Sequence, residues 1–212
     1  MSSRTLAAFD FDGTMTRRDT LVPFLVSVAG RRSVSVALAS ESAPLARAAI
    51  GRGDRDSAKE RVLQRVLGGC SYSEITAAGR AFGAAVARSG VTSAARDRIS
   101  WHRREGHEVV IVSASLDVYL DEVARALGVE HVLSSRLEVD PELICTGRLV
   151  GGNCRGAEKA KRLQALCGDD DVHLWAYGNS RGDDKMLALA DHPVRVRRGR
   201  MVPFSGAPRN DR

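Results

Sequence analysis

Two carboxylates one residue apart close a short apolar run in "LAAFDFDGTM", residues 6–15. Residues i and i+2 of an extended chain point to the same side, so Asp10 and Asp12 aim together if the strand persists that far. Adjacent carboxylates repel, and one pKa rises unless a cation intervenes. A hard divalent cation with oxygen ligands, such as Mg2+, relieves that repulsion. Gly13 then permits a sharp exit from the strand. A calcium loop is excluded by counting. From Asp10, position six is Met15 and position twelve is Leu21, where an EF-hand requires Gly and Glu. By itself the pair fits either a solvated acidic turn or a reactive site.

Three more stretches carry groups that could meet this pair. "VIVSAS" ends a β-branched run at Ser113, just ahead of a helical pattern. A helix N-terminus suits a phosphate, and the Ser113 hydroxyl could add a hydrogen bond, while Ser115 equally suits a plain N-cap. "YGNSRGDD" turns at Gly178 and offers Asn179 and Asp183, oxygen donors for a hard cation or for orienting another carboxylate. "NCRGAEKAKRL" places Lys159 in the first turn of a helix, where a cation opposes the helix dipole. An anion within its reach would explain that placement. Arg155 and Lys161 are near enough to compete for it.

The elements needed to position these groups are legible. Thr5 to Phe9 reads as a short buried strand, and "HEVVIVSAS" as a strand buried on both faces. "DVYLDEVARALG" is a helix stopped by Gly128. "HVLSSRLEV" and "CTGRLV" are short strands, "AEKAKRLQAL" a helix, "VHLWAYGNS" a strand, "DKMLALAD" a helix and "PVRVR" a last strand. This alternation predicts an α/β fold, a Rossmann-like parallel sheet with helices on both faces. Ligands bind such sheets beyond the carboxyl ends of the strands, where the motifs above fall. From Thr16 to about Arg104 no strand is evident. Val62, Leu63, Val66 and Leu67 form one helical face, and Ile75, Ala78, Phe82, Ala85 and Val86 another. Breaks fall at residues 51–56, 68–71 and 88–93. The expected organisation is a core of residues 1–15 and 105–212, with an inserted all-helical cap at 16–104.

Composition narrows the class. The 212 residues are 43% hydrophobic and carry a net charge of +6, which suits one globular domain with a sizeable insertion. Cys70, Cys145, Cys154 and Cys167 form no CxxC pair and no zinc-ligand spacing, consistent with free thiols in a reducing compartment. The N-terminus lacks the h-region of a secretory signal. The most apolar patch, "LVPFLVSVAG", is cut by "RR", short of the ~20 apolar residues of a membrane span. The expectation is a cytoplasmic protein without a membrane span. The basic residues are scattered, densest in "VRVRRGR" (194–200), and lack interleaved aromatics. That argues against a specific nucleic-acid platform and for a surface that draws in anionic substrates.

Together, DFDGT, the Ser113 strand end, Lys159 and the Asn179–Asp183 loop occur in the order that resembles the haloacid dehalogenase-like superfamily. The insertion point, "VSAS" and "YGNSRGDDKMLALAD" resemble its phosphoserine-phosphatase-like branch, subfamily IB. The resemblance implies Asp10 as nucleophile and Asp12 as general acid and base. It implies Mg2+ held by the Asp10 side chain, the Asp12 carbonyl and Asn179, with Asp183 behind them. It implies phosphoryl oxygens bound by Ser113, Ala114 and Lys159, and substrate ammonium and carboxylate groups met by Asp19 and Arg61. Asn179 departs from the family's usual Asp and brings no charge, so metal affinity is expected to be lower. The implied function is hydrolysis of a small phosphorylated metabolite, phosphoserine-like or histidinol-phosphate-like, through an aspartyl-phosphate. A phosphotransferase, a lipid-phosphate phosphatase and a non-catalytic phosphate-binding module stand as alternatives.

Overall fold

The computed structural model describes residues 4–49, 54–197 and 200–203. Part of the expected break at 51–56, and Arg198 and Gly199 of the basic cluster, lie outside the described residues. Strand β1 (Arg4–Phe9) sits centrally in a seven-stranded sheet of order β4-β3-β2-β1-β5-β6-β7. Its neighbours, β2 (Glu108–Leu116) and β5 (Val172–Gly178), both run parallel to it. Phe9 is in register with Ile111 and with Tyr177, so three strand ends finish at one level.

Period-two alternation explains why β1 is buried on both sides. Ala7 and Phe9 face one apolar cluster with Ile111 and Tyr177, whereas Leu6 and Ala8 face another with Val110 and Leu163. The second face is covered by α7 (Ala157–Cys167) and the short α8 (Asp184–Leu187). The first is covered by α5 (Ser93–Arg104) and α6 (Asp117–Leu127). Each fully buried Leu, Ile or Phe on these faces contributes about 1.5–3 kcal/mol. Gly128 ends α6 in the left-handed conformation, φ 64°, as its position in the sequence predicts.

The sheet is not wholly parallel. β3 (His131–Val139) pairs with β2 in parallel at first, then with β4 (Cys145–Val150) as an antiparallel hairpin. β6 (His192–Arg197) extends the parallel run, and β7 (Arg200–Pro203), which starts at the last residue of the basic cluster, pairs antiparallel with it. The helix expected at "DKMLALAD" shrinks to Asp184–Leu187, preceded by a 3-10 turn over Arg181–Asp183.

The insertion contains α1 (Leu21–Ser40), α2 (Ser42–Ala49), α3 (Arg55–Leu67) and α4 (Tyr72–Ala85). It leaves and rejoins the core at one neck, where Thr16 bridges Val91 and the Thr92 amide donates to the Met15 carbonyl at 2.9 Å. The insertion therefore returns at Val91 and not at residue 105. Helix α5 belongs with the sheet: its His102 is bonded to the Tyr177 hydroxyl at 2.9 Å, and Trp101 packs edge-on against Trp175. Its arginine-rich outer face made it resemble the preceding helices.

Helix α1 exceeds the sequence expectation for apolar stretches. It is long and apolar enough to cross a membrane by length and composition. Gly30 (φ 77°, ψ 160°) breaks it into two segments directly before Arg31 and Arg32.

Helix α4 approaches α6 closely enough that glycine is required. A Cβ at Gly79 would lie 2.2 Å from the Val118 carbonyl oxygen. Gly79→Ala is expected to destabilise the protein by about 1–3 kcal/mol through overpacking, read as a lower urea midpoint with an unchanged m-value.

Candidate active site

A cavity of about 960 Å³ opens beyond the carboxyl ends of β1, β2 and β5, between the sheet and the insertion. Asp10, Asp12, Ser113, Ala114, Lys159, Asn179 and Asp183 all line it, as does Asp19. Thus the four separate sequence stretches do converge.

β1 ends at Phe9, but Asp10 (φ −64°, ψ 155°) and Asp12 (φ −72°, ψ 117°) stay extended. Phe11 between them is fully buried, so the alternation carries both carboxylates to the cavity side. Gly13 then turns the chain at φ 80°. A Cβ there would also meet the Asn179 amide nitrogen at 1.9 Å, so glycine is needed for room as well as for conformation.

Asp10 is 6% exposed and both its oxygens are held. Oδ1 accepts from Lys159 Nζ at 2.5 Å, and Oδ2 accepts from the Thr14 hydroxyl at 2.8 Å. Lys159 Nζ also donates to Asp183 Oδ1 at 2.7 Å, so one buried ammonium lies between two buried carboxylates. Asp183 Oδ2 accepts from the Asn179 and Ser180 amides and from the Ser180 hydroxyl, which fixes the loop after β5. Burial alone would lower the Lys159 pKa, but Asp10 and Asp183 hold it above its ordinary value. Burial pushes the Asp10 carboxyl up, reinforced by Asp183 and opposed by Lys159. The cluster carries one negative charge more than its single cation offsets.

Asp12 sits in a different shell. Its Oδ1 accepts from the Thr20 amide (2.9 Å) and hydroxyl (2.8 Å), and Oδ2 accepts from the Ser115 hydroxyl (2.5 Å). Thr20 is in turn 3.1 Å from the Tyr119 hydroxyl. Burial and the Asp19 charge push the Asp12 carboxyl up to about 6, against the opposing hydrogen bonds. Two aspartates with separate environments are the arrangement that divides nucleophile from acid.

β2 explains the loop that faces the cavity. Val112 pairs with Leu133 and Leu116 with Ser135, so residues 113–115 bulge out of the ladder. Ser113 accepts the Ser115 amide at 3.0 Å and keeps its own proton for a ligand. Ser115 is therefore not an N-cap: Leu116 occupies that position, and Ser115 turns to Asp12 instead.

Lys159 is the third residue of α7 and is 2% exposed. Of its two competitors, Arg155 lines the cavity and Lys161 is exposed. Arg61 does not reach the site. It pairs at 2.7 Å with Glu41, a 3% exposed carboxylate that also draws in Arg65 one helical turn away. The cations that α3 does bring to the cavity are Arg55 and Lys59. Lys59 Nζ donates to the Ala114 carbonyl (2.5 Å) and to Asn153 Oδ1 (2.8 Å), and burial lowers its pKa to about 8. Asn153 ties the arrangement down by donating to Asp56 at 2.6 Å and accepting from Ser135 at 2.8 Å. No local motif marks Lys59, Asn153 or Thr20. Thr14, by contrast, stands inside the DFDGT string.

Among the described residues no three His, Cys, Asp or Glu side chains converge as a metal-ligand group. The donors available to a hard cation are mixed: the Asp10 carboxylate, the Asp12 carbonyl and the Asn179 side chain. The Asn179 amide group makes no hydrogen bond to a described residue, and it packs against Gly13 at the cavity wall. A free amide oxygen beside an uncompensated carboxylate cluster fits an oxygen-preferring divalent ion.

A largely parallel sheet whose central strand ends in two differently held carboxylates, with a buried lysine on the first, brings acid–base groups and a cation together at its carboxyl edge. The chain belongs to the haloacid dehalogenase-like hydrolase family, whose family model matches residues 7–188. It is 35% identical over 196 residues to protein CicA of Caulobacter vibrioides, covering 92% of this chain and 87% of that protein. It is 28% identical over 199 residues to a phosphoserine phosphatase of Albidiferax ferrireducens, covering 90% and 77% respectively. A crystal structure of a Bordetella pertussis protein of unknown function superposes with a TM-score of 0.77 at 25% identity, covering 92% of this chain and 90% of that one. The chain is a phosphatase of that family, similar to phosphoserine phosphatases.

Proposed function

We propose that this protein is a Mg2+-dependent phosphomonoesterase acting on a small phosphorylated metabolite through an aspartyl-phosphate. The observation that carries the reading is the contrast between Asp10, gripped by Lys159 and Thr14, and Asp12, gripped by Thr20 and Ser115. The Asp10 carboxylate attacks phosphorus, and the ester bond breaks as the leaving oxygen takes the Asp12 proton. Asp12, now ionised, accepts a proton from the water that attacks the aspartyl-phosphate. Inorganic phosphate departs and Asp10 is restored. Ser113, the Ala114 loop and Lys159 bind the phosphoryl oxygens, and Lys159 offsets the charge that gathers there. Asp10, the Asp12 carbonyl and Asn179 would hold Mg2+, which would supply Lewis-acid charge to the phosphoryl group. Residues 16–91 act as a cap over this centre.

The test is hydrolysis of a generic aryl phosphate, then of phosphoserine, histidinol phosphate and lysophosphatidate. EDTA is expected to abolish turnover and Mg2+ to restore it. Asn179→Asp should lower the Mg2+ concentration for half-activity by about tenfold, since ligand charge sets affinity in such sites. Turnover indifferent to EDTA would overturn the metal assignment.

The cap cations separate by the same assay. Lys59→Ala is expected to raise KM about tenfold for a substrate with a second anionic group, the scale of one hydrogen bond to a charged partner. Arg61→Ala should leave KM unchanged and lower thermal stability instead, because Glu41 then loses its nearer partner.

A further inference from the structure

We propose that the leaving group admitted here carries an extended apolar segment, seated along the α1 side of the cavity. The inference rests on the phosphatase reading and names the class of alcohol released: one with an alkyl or comparably apolar body, larger than serine.

Size is the first observation. The cavity of about 960 Å³ lies near the top of the ~300–1,000 Å³ range that encloses drug-sized ligands. A phosphoryl group on a three-carbon leaving group would fill little of it.

Polarity is the second. Helix α1 lines the cavity with Leu21, Val22, Pro23 and Leu38, which lie on both sides of its break at Gly30. Val22 is 38% exposed and Pro23 is exposed as well. The polar residues Arg31, Arg32, Ser33 and Ser35 are exposed too, but they line no part of the cavity. The helix therefore turns aliphatic side chains to the site and polar ones away from it. Apolar surface left facing water costs about 25 cal/mol per Å². A ligand with an apolar body covers it and recovers that cost.

Charge is the third. Arg55, Lys59, Arg155 and Arg181 line the cavity in addition to Lys159. Among the described residues, the lining acids other than Asp10, Asp12 and Asp183 are Asp19 and Asp56. Both are engaged: Asp19 Oδ1 accepts from the Leu21 amide at 2.9 Å, and Asp56 Oδ1 accepts from Asn153 at 2.6 Å. A cationic lining with an aliphatic wall matches an anionic ester with an apolar body. It matches less well a zwitterion whose ammonium needs an acid of its own.

The test is a series of n-alkyl phosphates from ethyl to octyl, assayed below the concentration at which octyl phosphate forms micelles. Their leaving alcohols are nearly equal in acidity, so chain length changes binding and leaves the chemical step alone. We expect kcat/KM to rise about two- to fourfold per added CH2, the gain of burying a methylene, and to level off once the wall is covered. Val22→Ser should cut the octyl-to-ethyl ratio of kcat/KM by about fivefold, and Val22→Leu should keep it. If Val22→Ser misfolds, Leu38→Thr takes its place. A flat series would overturn the inference, as would an octyl preference that survives these polar substitutions. So would phosphoserine turned over better than octyl phosphate. Calorimetric titration with ethylphosphonate and octylphosphonate, which have no ester bond to hydrolyse, separates the inference from the reading beneath it. Tighter binding of octylphosphonate by a chain that hydrolyses no aryl phosphate keeps the apolar wall and removes the phosphatase. Equal binding of the two phosphonates beside full turnover of aryl phosphate does the reverse.

Discussion

Asp10→Asn lowers kcat on a generic aryl phosphate by about 10⁴-fold or more, the scale on which removing a nucleophile acts. Asparagine is nearly isosteric. Its amide oxygen can still accept from Lys159, and its amide nitrogen can donate to the Thr14 hydroxyl in place of the present bond. The fold should therefore persist, with the thermal midpoint within a few degrees of the wild type. What is lost is the anionic oxygen that attacks phosphorus. Acid-stable incorporation of labelled phosphate into the protein tests the same step, and it should vanish in the variant. Activity within tenfold of wild type, in a folded protein, would sink the assignment of Asp10.

Lys159→Met should impair both function and stability, which separates it from Asp10→Asn. Turnover falls about 10³-fold, because the group offsetting transition-state charge is gone. The buried carboxylates of Asp10 and Asp183, now 2.5 and 2.7 Å from nothing cationic, also face each other unpaired. Breaking a buried pair of this kind costs about 3–5 kcal/mol. The sign of its pH dependence follows. In the wild type, despite burial, Lys159 holds the Asp183 carboxyl below the usual range. That contribution is present above the unfolded-state pKa and lost as pH falls through the folded one. In the variant the carboxylates lie above the usual range, so their cost grows as pH rises. The deficit measured by urea unfolding should hence be largest near neutrality and shrink toward about pH 4, where unfolded carboxyls protonate. Adding Asp183→Asn should recover stability without recovering turnover. Recovery of both would make Lys159 merely structural.

Much of this site is legible in the sequence, for reasons that are local. The period-two alternation around Phe9 and Phe11 determines that Asp10 and Asp12 share a side, and it survives the end of β1. Gly13 and Gly128 mark turns through their positive φ, whereas Gly178, where a turn is expected, ends β5 and is glycine because a Cβ would lie 2.5 Å from Asp183 Cβ. The order of strand-like and helix-like stretches determines the α/β class, since burial on two faces leaves a continuous β-branched run at residues 109–112.

What only the tertiary structure decided depends on contacts between distant residues. Helix periodicity shows that Arg55, Lys59 and Arg61 lie on α3, but not which faces the cavity. Buried Glu41 claims Arg61, and the Ala114 carbonyl and Asn153 receive Lys59. Ser115 reads as a cap until the bulge in β2 turns it onto Asp12. Helix α5 reads as cap until His102 meets Tyr177 across the sheet face. In each case a side chain's propensity was satisfied by two placements, and a partner about 20 to 100 residues away chose between them. The sequence by itself determined the reactive pair and the scaffold that presents it. The fold decided which cations attend the cavity, where the insertion ends, and which side of α1 packs against the core.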